Sequence, residues 1–121
     1  MATIRITNLR LRAVIGINDW ERDIKQDVVI NVTMEFDADR AAKSDNIKDT
    51  VDYKAITKKI IKLVEGSQFF LLEALADRIL TIAMEDRKVL SAAVRVDKPQ
   101  ALRFADSVSV ELNKQRKPHK K

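Results

Sequence analysis

An α+β fold, a four-stranded antiparallel sheet with two helices on one face, is what this sequence predicts, on three observations. Val28, Ile30, Val32, Met34 and Phe36 alternate with Asp27, Asn31, Thr33 and Glu35, the period of a half-buried strand. Two consecutive stretches, 54–64 and 72–83, carry apolar residues at helical spacing. Alternation then resumes at Leu90, so the order is strand, strand, helix, helix, strand, strand.

Taken in order, Ile4 and Ile6 alternate, and Leu9, Leu11, Ala13 and Ile15 continue with the parity shifted at Asn8. The pattern predicts a long first strand with a bulge there. Gly16 to Lys25 is a polar connection holding the only Trp, longer than a hairpin needs. The strand from Asp27 to Phe36 follows, and then a charged stretch to Asp52 with one helical turn around Arg40 to Lys43. Asp52 precedes the first helix, whose Ile56, Ile60, Leu63 and Val64 share a face, and Gly66 ends it. The second helix is expected from Leu71 to Arg87 on Leu72, Leu75, Ala76, Ile79, Ile82 and Ala83. Leu90, Ala92, Val94 and Val96 form a strand whose parity Lys98 continues immediately before Pro99, and Val108, Val110 and Leu112 form the last one.

The chain of 121 residues fits one domain, expected over 1–113, with a basic, disordered tail over 114–121. Five of the last eight residues (Lys114, Arg116, Lys117, Lys120, Lys121) are cationic and account for the net charge of +5, so the body is near neutral. That distribution, with only six aromatics, argues against a nucleic-acid platform and leaves a basic-tailed polyanion-binding module as the rival from another class. No cysteine is present, which excludes thiolate chemistry and disulfides and suits a reducing cytosol. No apolar run approaches the roughly 18 residues of a membrane span, and the first residues lack a signal-peptide layout, so the expectation is a cytoplasmic protein. Edges left open by a four-stranded sheet, and a second face of mixed polarity (Val29, Ala93, Arg95, Ser107, Ser109), point to homo-oligomerisation.

The single histidine, His119, lies in the tail, and two glycines cannot build a phosphate-binding loop. Histidine triads and histidine-ligated metals are thereby excluded, and a carboxylate-only magnesium site is the metal option left. The chemistry falls to Glu21, Tyr53, Glu73 and Lys98. Each has a plain alternative: a solvated loop charge for Glu21, a core-edge aromatic for Tyr53, a first-turn residue serving the helix dipole for Glu73, and a snorkelling strand end for Lys98. Arg103 and Asp106 read equally as a local ion pair.

At these residues the sequence resembles the dihydroneopterin aldolases and, more closely, the bacterial dihydroneopterin triphosphate 2′-epimerases of the same family. The resemblance runs from about Ile4 to Leu112 on four separated motifs: Ile15-Gly16-Ile17 with Asp19-Trp20-Glu21 and Gln26; Val51-Asp52-Tyr53; Phe70-Leu71-Leu72-Glu73; and Asp97-Lys98-Pro99. Ile4-Arg5-Ile6, Asn8 to Arg12 and Ala101 to Ser109 look like the epimerase group, whereas Asp19-Trp20-Glu21 and Lys98-Pro99 look aldolase-like.

The resemblance implies a tunnelling fold, in which four subunits close a β-barrel, two rings stack as an octamer, and active sites lie between subunits. It implies Lys98, Tyr53 and Glu21 as catalytic residues and Glu73, with Leu72 and Arg103, as substrate-binding ones. Neither cofactor nor metal is implied. The activity implied is epimerisation at the 2′ carbon of 7,8-dihydroneopterin triphosphate, giving 7,8-dihydromonapterin triphosphate by retro-aldol and aldol steps. The alternative is the aldolase reaction, releasing glycolaldehyde and 6-hydroxymethyl-7,8-dihydropterin.

Overall fold

The computed structural model describes residues 1–117. Strand β1 (Ala2–Ile15) pairs antiparallel with β2 (Gln26–Phe36), and the ladder slips between Ile6 and Leu9. Asn8 takes φ +54° at the slip, a conformation asparagine tolerates, and its amide donates to Asn31 Oδ1 at 2.9 Å. The bulge keeps Leu9 and Leu11 on the core side after the parity change, as the sequence predicts.

A short helix α1 (Asp39–Ser44) covers the expected turn. Helix α2 (Tyr53–Gly66) starts where the Asp52 side chain accepts the Ala55 amide at 3.1 Å, and it buries Ile56, Ile60 and Val64. Helix α3 (Leu72–Ala83) buries Leu72, Leu75, Ala76, Ile79, Leu80 and Ala83. It stops four residues short of the expected Arg87. The Asp86 side chain accepts the Lys88 amide at 2.9 Å, a local turn that competes with further helix. Strands β4 (Val89–Pro99) and β5 (Ser107–Gln115) complete an antiparallel run β1-β2-β4-β5.

Two expectations are corrected. The sheet has five strands rather than four and is mixed: β3 (Gln68–Phe69) pairs parallel with Val14 and Ile15 of β1. Two residues carry no periodicity, so only the docking of the α2–α3 connection onto β1 reveals that strand. The boundary expected at Lys114 also falls inside β5. Lys114 pairs with Ala92 and Gln115 with Ser91 through backbone bonds indifferent to side-chain charge. Arg116 then donates to the carbonyls of Met84 (2.6 Å), Asp86 (3.3 Å) and Val89 (3.1 Å), capping the end of α3. Residues 118–121, with His119, lie outside the described residues.

One face of the sheet (Ile30, Val32, Met34, Val94, Val96) packs on α2 and α3 through Ile60, Val64, Leu75 and Ile79, all buried. Each such side chain contributes roughly 1.5–3 kcal/mol relative to exposure. The other face is uncovered and polar, with a concavity of about 430 Å³ lined by Asn31, Thr33, Arg95 and Asp97 among others. Among the described residues both sheet edges are open: β3 covers only the last two residues of β1, and β5 has no outer neighbour. Among the described residues no helix is long and apolar enough to cross a membrane.

Candidate active site

The site begins where β1 ends. Gly16 takes φ +136° and donates its amide to Phe69 O at 3.1 Å, tying the loop start to β3. A Cβ at Gly16 would stand 2.2 Å from the carboxyl carbon of Glu21, so a residue without a side chain is required by both space and backbone. The loop makes one tight 3-10 turn at Asp19–Glu21, which turns the Glu21 side chain inward.

Glu21 is only 3 % exposed, so the solvated-charge alternative fails. Its Oε1 accepts from the Asn18 amide (3.2 Å) and Asn18 Nδ2 (2.8 Å). Its Oε2 accepts from Gln26 Nε2 (3.1 Å) and from the Lys98 ammonium. Gln26 Nε2 donates its second hydrogen to Ile15 O at 3.0 Å, locking that amide between the loop and β1. Burial pushes the carboxyl pKa up, but the hydrogen bonds from Lys98, Gln26 and Asn18, together with the lysine charge, outweigh it and bring the value from 4.5 down to about 2. At neutral pH Glu21 is therefore a fixed carboxylate and no proton donor.

This depressed value makes a pH-dependent contribution to stability. It is fully present above the unfolded value near 4.5 and is lost as the pH falls toward 2, because protons bind the unfolded chain first. The melting temperature of the wild type is expected to drop more steeply than that of Glu21→Gln between pH 5 and 2. Parallel curves would show that the carboxylate is not held ionised by its neighbours.

Lys98 lies where strand parity places it, on the core side of β4, with its side chain 14 % exposed and its head on Glu21. Glu73 is the second residue of α3 and exposed, off the apolar stripe, while Leu72 beside it is buried. The start of α3 lies beside the loop, because Phe69 bonds Gly16 and the Arg22 guanidinium sits 4.0 Å above the Phe70 ring. Glu21, Lys98 and the segment leading to Leu72 and Glu73 are thus gathered at one edge of the subunit. Tyr53 is not: it is 53 % exposed at the start of α2, and no hydrogen bond among the described residues joins it to the pair. Arg103 lies in the loop after β4, its guanidinium 5.1 Å from the Phe104 ring, with no ion pair to Asp106 among the described residues.

Asn18 and Gln26 hold Glu21, and residue type alone does not mark them as site residues; the Gly16 before the loop and the Gln26 after it are the signal that was present. Among the described residues no three or more of His, Asp and Glu converge to hold a metal ion.

The fold of this subunit, helices on one face of a mixed, mainly antiparallel sheet, is shared with known proteins. The model of the FolB dihydroneopterin aldolase family matches residues 4–113, and the chain belongs to that family. Within it, the chain is 50 % identical over 115 residues to the dihydroneopterin triphosphate 2′-epimerase of Escherichia coli K12, covering 95 % of this chain and 96 % of that one. Its counterpart of the same name in Pseudomonas aeruginosa is 48 % identical over 112 residues, 93 % and 91 % of the two chains. The crystal structure of E. coli dihydroneopterin aldolase in complex with neopterin superposes with a TM-score of 0.89 at 30 % identity, covering 94 % and 99 %. The tunnelling-fold subunit is therefore the architecture of this chain.

Proposed function

We propose that the chain is an epimerase acting at the 2′ carbon of 7,8-dihydroneopterin triphosphate, in the cytoplasm. The observation that carries the chemistry is Lys98, delivered by β4 to a buried carboxylate that fixes its ammonium. Identity of 50 % to an epimerase, against 30 % to an aldolase of similar fold, supports epimerisation over cleavage as the outcome.

In this reading Glu73 anchors the pterin by accepting hydrogen bonds from its 2-amino group and the adjacent ring nitrogen, beside Leu72. Lys98, with Tyr53 and water, manages the protons: one leaves the 2′ hydroxyl as the bond between the 1′ and 2′ carbons breaks, and nitrogen 5 of the ring is protonated as it takes the electron pair. The aldehyde stays bound, presents its other face and is reattached. Glu21, ionised at neutral pH, orients Lys98 and donates no proton. Arg103 serves the triphosphate.

Tyr53 stands apart from the pair within one chain, and this supports a site completed by a second copy. Open edges at β1 and β5, and exposed Ile17, Trp20, Phe70 and Leu71 near the loop, supply surfaces for such a partner. Four copies closing a barrel, two rings to an octamer, is the assembly this reading favours.

The test is incubation with dihydroneopterin and with its triphosphate, followed by separation of stereoisomers and cleavage products. A monapterin-type product from the triphosphate is expected, and no turnover of either compound would sink the proposal. In the same assay Glu73→Gln should raise KM for both substrates, and Arg103→Ala for the triphosphate alone. A solution mass of one chain at micromolar concentration would overturn the shared site.

A further inference from the structure

Glu21 and Asp97 are the two buried charged residues among those described, and the chemistry above uses only the first. Asp97 precedes Lys98 on β4, and alternation sends it to the opposite, polar face. At 8 % exposure its carboxylate accepts three hydrogen bonds. Arg95 Nε donates to Oδ1 at 2.9 Å, Arg95 Nη2 to Oδ2 at 3.2 Å, and Ser107 Oγ to Oδ2 at 2.8 Å. A charge this buried is retained at a cost in desolvation, which its three hydrogen bonds offset.

The ladder shows what these bonds connect. Backbone pairing of β2 with β4 ends at Val29 and Asp97, although β2 itself starts at Gln26, so Lys98 and Pro99 pair only with Val108 and Ser107 of β5. The connection they carry, 100–106, holds two non-glycine residues at positive φ, Gln100 (+59°) and Phe104 (+73°). Lys98 therefore lies where β4 keeps backbone pairing on one side only, next to a strained connection. The Ser107 bond to Asp97 ties the first residue of β5 to the last residue of β4 that β2 still braces, across Lys98 itself.

We propose that Arg95, Asp97 and Ser107 form a positioning cluster that holds the singly paired end of the β4–β5 hairpin so that the Lys98 ammonium meets Glu21 and the substrate. This rests on the reading of Lys98 given above. Asp97 touches no substrate; it acts through the backbone it shares with Lys98, and a displacement of about 1 Å there is enough to slow a positioned proton transfer.

The experiment compares Ser107→Ala, which removes the donor, with Ser107→Thr, which keeps a hydroxyl in a strand, in the full chain. Turnover of dihydroneopterin triphosphate is measured alongside hydrogen exchange of the segment 98–107. Ser107→Ala is expected to lower kcat roughly tenfold with KM changed less than about threefold, and to speed exchange of that segment alone. Ser107→Thr should restore both. Wild-type kcat and exchange in Ser107→Ala overturns the cluster, as does a loss that comes with faster exchange throughout the chain and is not rescued by Thr. A wild-type chain inactive on both pterins overturns instead the reading of Lys98, and the two failures are told apart because exchange needs no substrate.

Discussion

Lys98→Ala is expected to lower turnover of dihydroneopterin triphosphate by about 10²–10⁴, the range for loss of a positioned acid–base group. Two further effects separate this residue from a surface lysine. Removing the ammonium leaves Glu21 buried with only Asn18 and Gln26 as donors. Breaking a buried pair from one side costs about 3–5 kcal/mol, which here is an upper range because four bonds are reduced to three rather than to none. Urea unfolding should register a loss toward the low end. Lys98→Arg should recover part of that stability by restoring a cation but little of the turnover, since a guanidinium does not release its proton near neutral pH. An arginine variant with near wild-type kcat would remove Lys98 from the proton transfers.

The second large effect is expected at Gly16. Gly16→Ala sets a methyl group 2.2 Å from the Glu21 carboxyl carbon and 2.3 and 2.4 Å from its oxygens, and it forces φ +136° on an L side chain. The backbone strain alone costs about 1–3 kcal/mol. The carboxylate must also leave its pocket and forfeit Asn18, Gln26 and Lys98 together, so stability and turnover are expected to fall in the same variant. Gly66→Ala is the control. Nothing lies within 4 Å of a Cβ there, the residue is the last of α2, and a gain of about 0.4–1 kcal/mol is expected from the reduced freedom of the unfolded chain. Thermal or urea denaturation of the two variants should move in opposite directions. Equal, small shifts would show that the Gly16 loop rearranges without cost.

The elements legible in the sequence are those whose burial repeats with a period. Val28 to Phe36 and Leu90 to Val96 show it in steps of two, and α2 and α3 in helical steps. Lys98 could be assigned to its face of β4 by the same parity, and the bulge at Asn8 by the parity shift around it. Glu73, off the stripe of α3, is assigned to the first turn of its helix by spacing alone. Nothing periodic marks β3, two residues long, or the end of α3, where an aspartate side chain at 86 outcompetes the helix.

Glu21 divides the two kinds of knowledge most sharply. In the sequence it is a charge in a polar loop next to Arg22, and local pattern assigns it to solvent; only its likeness to a family motif pointed the other way. Its burial depends on Gln26 returning from the start of β2, on Gly16 leaving room, and on Lys98 arriving from 77 residues away. What the sequence determined by itself is which face each residue of a strand or helix presents, because that follows from backbone geometry within a few residues. What only the tertiary structure decided is which charges lose their water and meet. Desolvation and ion pairing depend on segments distant in the chain, and no local spacing encodes that distance.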